Sequence, residues 1–265
     1  MKKNYATHVG GIRILPGQWR PHYPFEQIAW VSPPWSSQEY IWLDFPEGIF
    51  TKSGLLYLSH VNPDHPVVFP DLPNVPWKII PGGLSFHRRL PNGVEFGGQV
   101  TASSATTVAL SLFIHNGSDA PLKDITLQTC AFLRGIKEFS DFTSWNKYVH
   151  LPGSGWLVWD RAVNSGTEKG RYRLGWRSGP ASADSPVIAT LSNQGERLVA
   201  MTWHKATYSL INNPFHPCVH ADPYFPDIAP GKRREIAGEL IFFNGTLDKF
   251  DAWWKKRTTA GKHNK

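Results

Sequence analysis

The stretch Thr106-Thr-Val-Ala-Leu-Ser-Leu-Phe-Ile-His-Asn116 alternates apolar and polar side chains almost without a break. Gly93–Val100 before it and Ile125–Leu133 after it repeat the pattern, and Asn116-Gly117-Ser118 marks a turn between the last two. Alternation with a period of two is typical of strands that bury one face. These three segments predict a run of antiparallel strands and decide the fold class.

Shorter segments of the same kind occupy much of the remaining chain. They are Glu39–Asp44, Gly54–His60, Trp156–Ala162, Tyr172–Arg177, Val187–Ser192, Arg197–Trp203 and Arg234–Phe243. About ten to twelve short strands with no helical periodicity between them indicate an all-β fold. We predict one large antiparallel β-sandwich domain over residues 1–265, of supersandwich or jelly-roll type, with long loops.

Three connections are predicted to be long. The proline-rich segment Val61–Gly83 predicts an ordered extended loop, residues 134–155 a loop with a short helix near Ile136–Phe142, and Asn212–Gly231 another loop. Phe250–Arg257 predicts a short amphipathic helix at the C-terminal end. Polar residues concentrate in these loops, which is where binding and catalytic groups are most often found.

Composition limits the function classes. The net charge is +7, but the basic residues are scattered and no run of them would follow a phosphate backbone, so we expect no nucleic-acid partner. No apolar stretch approaches the roughly 18 residues of a membrane span, so we expect no membrane partner. Met1-Lys2-Lys3 resembles the start of a signal peptide, but no apolar region follows in Asn4–Gly11. The compartment is open: cytoplasmic as written, or secreted or periplasmic if a signal was removed.

Two segments have a familiar form. Val108–Cys130 ends a strand in Asn-Gly-Ser and begins the next after Pro-Leu, and Ile228–Phe243 enters a closing strand through Pro-Gly. Both resemble the β-sandwich domains of carbohydrate-active proteins, in particular the galactose-mutarotase-like supersandwich. The resemblance implies that architecture and a carbohydrate ligand. Aldose epimerases of that superfamily use a His acid and a Glu base, and Phe215–Pro223 does not contain their pattern.

The densest polar group lies late in the chain. If residues 216–222 run extended, alternate side chains share one face, and His204 can return near them from the end of the preceding strand. One interpretation is a catalytic group of His204, His216, His220 and Asp222, since imidazole titrates near neutral pH. A second is one divalent metal ion, zinc or copper, bound by His216, Cys218 and His220. A third is a structural loop.

A second group occupies residues 134–160. Aromatic faces stack on the apolar side of a pyranose while polar groups take its hydroxyls, so a substrate-binding role is predicted here. The residues are Arg134, Trp145, Lys147, Tyr148 and His150. Glu138 and Asp141 form either a glycosidase acid pair or a solvated face. Lys137 or Lys147 would instead suit a lyase, in which a cation neutralises a uronate carboxylate.

Three further features have alternative interpretations. Arg88, in Phe86-His87-Arg88-Arg89, is predicted to bind an anionic substrate group. The alternative is that an Arg of this segment forms a cross-strand ion pair with Glu95. His60, Asp64 and His65 are expected to line the same cleft as the other candidates. Cys130 and Cys218 are buried thiols in separate strands, a disulfide, or a thiolate ligand or nucleophile.

Two functions remain open from the sequence. The first is a hydrolase or lyase acting on a poly- or oligosaccharide in a cleft lined by His and aromatic residues. The second is a non-catalytic carbohydrate-binding or accessory module. The first predicts that the late histidines and the 134–160 segment converge on one pocket, and the second predicts an open aromatic platform. The sequence does not determine the sugar, the cofactor or the oligomeric state.

Overall fold

The computed structural model describes residues 11–18, 26–60, 68–69, 71–140, 145–175, 181–213 and 215–260. The predicted all-β class is confirmed. The strands within these ranges are β1 Arg13–Gly17, β2 Ile28–Ser32, β3 Ile41–Thr51, β4 Gly54–Leu58, β5 Lys78–Ile80, β6 Gly83–Arg89, β7 Val94–Ala102, β8 Thr107–Asn116, β9 Ile125–Phe132, β10 Lys147–Leu151, β11 Gly155–Val158, β12 Tyr172–Leu174, β13 Ser182–Ala183, β14 Val187–Leu191, β15 Arg197–Thr202, β16 Thr207–Asn212, β17 Cys218–Phe225 and β18 Arg233–Asn244.

The helical elements are few and short. Helix α1 spans Trp159–Val163 and helix α2 spans Leu247–Ala260, while Lys137–Phe139 and His204–Ala206 form single 3₁₀ turns. In the part of the chain that the structure describes, no helix has the length and apolar character needed to cross a membrane.

The strands form two sheets. The front sheet has the order β1-β2-β3-β9-β17-β16-β12-β13, with β4 paired to the second half of β3. The back sheet has the order β11-β10-β14-β15-β18-β8-β7-β6-β5. Neighbouring strands are antiparallel except for β12 and β16, which are parallel. The structure is therefore the large antiparallel sandwich that the alternating segments predict.

The core lies between the two sheets and follows the alternation of the sequence. On β8, Val108, Leu110, Leu112 and Ile114 are buried, and each residue between them is partly exposed. Across the core, Phe45 of β3 stacks on Trp203, with 6.0 Å between ring centroids. Removing such side chains from water supplies the main stabilisation of the sandwich, roughly 1.5–3 kcal/mol for each large apolar residue.

Helix α2 covers the outer face of the back sheet. Its side chains Phe250 and Trp254 are buried against small and aliphatic residues of three strands: Val187, Ala189, Leu198, Ala200 and Ile241. The spacing of Leu247, Phe250 and Trp254 puts all three on one side of the helix. The predicted C-terminal helix is confirmed and is longer than Phe250–Arg257.

Several predicted boundaries are wrong. Asn212–Gly231 is not one loop, because β17 lies inside it and forms a central strand of the front sheet. Pro223 inside β17 and Pro217 just before it made this segment resemble a loop, since proline donates no ladder hydrogen bond and is rare in central strands. Trp156–Ala162 divides into β11 and α1, and residues 134–155 contain β10.

Candidate functional site

The outer face of the front sheet carries a row of aromatic side chains in cross-strand register. Trp30 of β2 pairs with Trp42 of β3, and Trp42 pairs with Phe132 of β9. The Trp42 and Phe132 rings stack at 5.2 Å and 17°. Tyr40 stacks on Trp30 at the other end, at 5.1 Å. We call Trp30, Trp42 and Phe132 the aromatic row.

A second row of side chains lies beside the aromatic row, on strands β3, β9 and β17. Asp44 of β3 pairs with Cys130 of β9, and Cys130 pairs with His220 of β17. These positions are two residues from the aromatic row, so the period of two puts both rows on one face. Together with neighbouring groups they form the polar cluster: Asp44, Glu47, Ser59, His60, Cys130, Cys218, His220 and Asp222.

A bulge in β3 brings Asp44 and Glu47 to the same face. Residues three apart in a regular strand point to opposite faces, but the β3–β9 register shifts between Asp44 and Gly48. Pro46 lies in this interval and offers no N–H to a ladder, and the Phe45–Pro46 peptide is cis. The bulge therefore supplies a second carboxylate to the polar cluster.

Ser59 and His60, which follow β4, complete this side of the cluster. Ser59 Oγ donates a hydrogen bond to Asp44 Oδ2 at 2.6 Å, and it lies 3.4 Å from His60 Nδ1. His60 Nδ1 is also 3.8 Å from Glu47 Oε1. The His60 and Glu47 side chains keep 20% and 14% of their surface exposed, whereas Asp44 is buried. His60 and Glu47 are thus the most exposed members of the cluster.

His220 lies in the middle of the cluster and contacts groups on both sides of its ring. Its Nε2 is 3.4 Å from Cys218 Sγ. Its Nδ1 is 3.8 Å from Glu47 Oε2 and 3.9 Å from Asp222 Oδ1. Burial lowers the pKa of His220, but the adjacent Cys218 sulfur and the two carboxylates outweigh it and raise the pKa to about 10.

The two cysteines are free thiols on neighbouring strands, as one of the three sequence interpretations predicts. A hydrogen bond from Cys130 lowers the pKa of Cys218 well below its usual value, with a further contribution from His220 against the opposing effect of burial. The same hydrogen bond and burial raise the pKa of Cys130. The two sulfurs and the His220 ring therefore lie close enough for each to shift the pKa of another.

The Asp222 side chain supplies a hydrogen bond where the backbone pairing between β9 and β17 is interrupted. Regular pairing stops after His220 and resumes at Tyr224, across Pro223, which has no N–H. In this gap the Thr129 N–H donates to Asp222 Oδ1 at 3.0 Å, and Thr129 Oγ1 donates to Ala221 O at 2.9 Å. Asp222 therefore holds the strand in place as well as facing His220.

The structure brings together only part of the predicted catalytic group. Cys218, His220 and Asp222 share a face, as the alternation predicts. His216 precedes β17 and is exposed, with its ring 6.0 Å from that of Phe132. His204 lies apart, because its ring stacks on Trp254 of α2 and its Nε2 faces Glu239 at 3.9 Å. Burial lowers the pKa of His204.

The predicted convergence with the 134–160 segment is wrong for the residues that the structure describes. Tyr148 and His150 lie on β10 of the back sheet, where His150 pairs with Asp184 at 2.6 Å and meets Trp156 edge-on. Lys147 points inward, is buried and donates to Asn146 Oδ1. These three residues therefore lie on a different sheet from the late histidine His220, a separation that sequence proximity does not reveal.

The remaining substrate-binding candidates are also distributed. Arg88 is buried between the sheets, where it donates to Pro73 O at 2.7 Å and lies over the Tyr57 ring. Burial lowers its pKa. Trp145 is 69% exposed, and Arg134 is exposed two residues beyond β9. Arg134 alone among these candidates continues a strand of the polar cluster.

Two other acidic residues that the sequence analysis considered form ion pairs. Glu95 forms the predicted cross-strand pair with an Arg, which is Arg89 at 3.9 Å, and it also contacts His87 at 2.8 Å. Glu138 pairs with Arg197. Asp141, Asp64 and His65 lie outside the described residues.

Sequence reasoning missed Asp44 and Glu47 as site residues. Asp44 ends the strongly apolar segment Ile41-Trp42-Leu43, and a buried carboxylate requires a partner. That signal alone could have identified it. Glu47 became recognisable only with the bulge.

Two sets in the cluster have the spacing of metal ligands. One ligand atom from each of Cys130, Cys218 and His220 lies within 4.8 Å of the others. The same holds for Asp44, Glu47 and His60.

No protein-family model matches the chain, and no curated protein does either. Solved structures do. The galactose mutarotase related enzyme from Lactobacillus acidophilus aligns over 89% of this chain and 99% of its own, with a TM-score of 0.51 and 8% identity. The GalM/aldose epimerase homologue from C. elegans aligns over 84% and 94%, with a TM-score of 0.45 and 8% identity. The fold is the galactose-mutarotase-like sandwich that the sequence resemblance implied.

Proposed function

We propose that this protein is a carbohydrate-active enzyme that binds a sugar on the aromatic row and transfers protons to it from the polar cluster. One observation carries the proposal: the two rows lie side by side, in register, on the outer face of the front sheet. An indole face accepts the apolar face of a pyranose, and Trp30 and Trp42 keep part of their surface exposed while Phe132 is buried behind them in the row. Carboxylates and imidazoles form hydrogen bonds with the sugar hydroxyls. The galactose-mutarotase-like fold is consistent with a sugar ligand, although one fold serves many activities.

Within the cluster, we assign proton transfer to Glu47. Its carboxylate is partly exposed and lies 3.8 Å from both His60 and His220. The His60 imidazole faces Oε1 of Glu47 and the His220 imidazole faces Oε2. These contacts hold the carboxylate in one orientation, which a general acid or base requires. Of the four residues predicted as catalytic, His220 and Asp222 then act as positioning residues. His216, beside Phe132, is a candidate for sugar contact.

Hydrolysis is the reaction that we favour. Glycoside hydrolases use two carboxyl groups, about 5–5.5 Å apart in retaining enzymes. The ligand atoms of Asp44 and Glu47 lie within 4.8 Å of each other. Protonated Glu47 would give its proton to the departing oxygen as the C–O bond breaks and the Asp44 carboxylate bonds to the anomeric carbon. Water would then displace Asp44, leaving its hydroxyl on that carbon and returning its proton to Glu47. A lyase needs a cation beside the uronate carboxylate, and Lys147 is buried away from the cluster.

The test is release of new reducing ends from neutral and uronic-acid polysaccharides and oligosaccharides. Glu47→Gln should lower kcat about 10²–10⁴-fold while leaving sugar affinity within about twofold, because only proton transfer is removed. Glu138→Gln is the matched control, since Glu138 pairs with Arg197 outside the cluster, and it should retain activity.

Other outcomes separate the alternatives. Unsaturated products, formed with no water added across the cleaved bond, would show that the protein is a lyase. Binding that Trp42→Ala weakens, with no turnover of any substrate, would make it the non-catalytic binding module. Absence of binding to every sugar tested would overturn the proposal.

A further inference from the structure

We propose that Cys130, Cys218 and His220 bind one zinc ion beneath the outer face of the front sheet. The inference does not rest on the proposed function, because it concerns the protein without sugar. It replaces His216 in the ligand set predicted from sequence with Cys130, the residue that β9 brings to β17.

The strand pairing builds the site. Cys130 lies directly opposite His220, and Cys218 precedes His220 by two residues, so all three side chains leave the sheet on one face. Zinc bonds to sulfur at about 2.3 Å and to imidazole at about 2.0 Å, so tetrahedral ligands lie roughly 3.5–3.8 Å apart. Cys218 Sγ and His220 Nε2 are 3.4 Å apart, and all three atoms fall within 4.8 Å of one another. The three atoms therefore lie near the separations of three corners of a zinc tetrahedron.

The chemistry of the donors limits the metal to soft and borderline cations, of which zinc is the one proposed. Two sulfurs and an imidazole suit zinc and exclude magnesium and calcium, which take oxygen ligands. The three side chains are only 2–4% exposed, and Trp42 and Phe132 pack beside the sulfurs. Low solvent access strengthens the attraction between a cation and thiolates.

The carboxylates on the side of the His220 ring away from the sulfurs orient it as a zinc ligand. Nε2 faces the sulfur of Cys218, while Nδ1 faces the carboxylates of Glu47 and Asp222 at 3.8 and 3.9 Å. Zinc-bound histidines commonly donate their other ring N–H to a carboxylate, which fixes the ring and raises its basicity. Asp222 is in turn held by the Thr129 N–H.

The neighbouring set Asp44, Glu47 and His60 is the weaker candidate. Asp44 Oδ2 already accepts a hydrogen bond from Ser59, and His60 Nδ1 lies 3.4 Å from the same hydroxyl. The oxygens of this set also suit a harder cation than zinc. The geometry therefore points to the sulfur-containing set.

The experiment is metal analysis of the reduced, untagged protein after metal removal and dialysis against zinc. We expect about one equivalent of zinc in the wild type, less than about a tenth of an equivalent in Cys218→Ser, and wild-type content in the control His204→Gln. Cobalt titration of the wild type should give sulfur-to-cobalt absorption, and zinc should raise its Tm, because a ligand that binds only the folded state stabilises it.

The titration and the Tm measurement use the wild type, so a misfolded variant cannot decide the result. A wild type that takes up no zinc and shows no cobalt–sulfur absorption would overturn the proposal. So would a disulfide between Cys130 and Cys218 in the protein as isolated. Neither result depends on sugar turnover, so failure here is distinguishable from failure of the proposed function.

Discussion

The two outer faces of the sandwich use aromatic side chains in opposite ways. On the back sheet, Phe243, Phe250, Trp253 and Trp254 contact one another where α2 covers the strands. On the front sheet, the aromatic row lies beside a cluster of ionisable groups, and the structure describes no helix over it. The first arrangement excludes water from an apolar surface. The second places apolar rings next to acids and bases.

The difference explains why composition was ambiguous. Twelve tryptophans indicate neither a core nor a ligand surface until their neighbours are known. Beneath α2 the strands present Val187, Ala189 and Ile241, whose burial is favourable by itself. Burying Asp44, His220 and Asp222 is costly unless each has partners, so the front face carries groups that stability alone does not require.

The largest effect on stability is expected beneath α2. Phe250→Ala removes a fully buried ring from the helix–sheet contact and should lower the free energy of unfolding by about 3–5 kcal/mol in urea denaturation. Zinc content and sugar binding should stay unchanged under native conditions. Trp145→Ala, at an exposed position, should change stability by less than about 0.5 kcal/mol. An equal loss in both variants would contradict the role assigned to α2.

A smaller stability effect with a metal effect is expected at Asp222. Asp222→Ala leaves the buried Thr129 N–H without its acceptor and should cost about 1–3 kcal/mol. Loss of the carboxylate facing His220 should also weaken zinc binding about 10–100-fold, measured by competition with a chelator. Asp222→Asn, which keeps an acceptor oxygen, should recover part of the stability. If Asp222→Ala binds zinc with wild-type affinity, the Asp222 carboxylate has no role in the proposed site.

Trp42→Ala tests whether the aromatic row of the front sheet binds sugar and the aromatic residues of α2 do not. Loss of the ring that stacks on Phe132 should weaken sugar binding about tenfold, or about 1.4 kcal/mol, in calorimetric titration. Trp253→Ala, on α2, is the matched control and should leave sugar affinity unchanged. If the two variants lose affinity equally, the front face is not the sugar surface.

The smallest effect is a change in acid sensitivity at His204. Burial lowers the pKa of His204 in the folded protein, so the unfolded chain takes up more protons as the pH falls below about 6.5. The wild type therefore loses stability from this group on acidification. His204→Gln should show a slightly smaller fall in Tm between about pH 7 and pH 5.5. A larger fall in Tm for His204→Gln than for the wild type would show that His204 stabilises the folded protein at low pH instead.

Local pattern predicted more of the fold than of the site. The alternation in Gly93–Val100, Thr106–Asn116 and Ile125–Leu133 located β7, β8 and β9 to within one or two residues. The same period placed Cys218, His220 and Asp222 on one face. It failed at β17 itself, because Pro217 before the strand and Pro223 within it are typical of loops. It also failed at Trp156–Ala162, where four apolar residues continue into a helical turn.

What the sequence determined by itself are the properties that neighbours along the chain share: strand or helix, and which side chains of one strand face the same way. Only the tertiary structure decided which strands meet. Cys130 and Cys218 are 88 residues apart and become neighbours through the pairing of β9 with β17. Asp44 and Glu47 share a face because a bulge breaks the period of β3. Period is set by bonds within one segment, whereas register depends on packing between segments, so the polar cluster exists only in the folded sandwich.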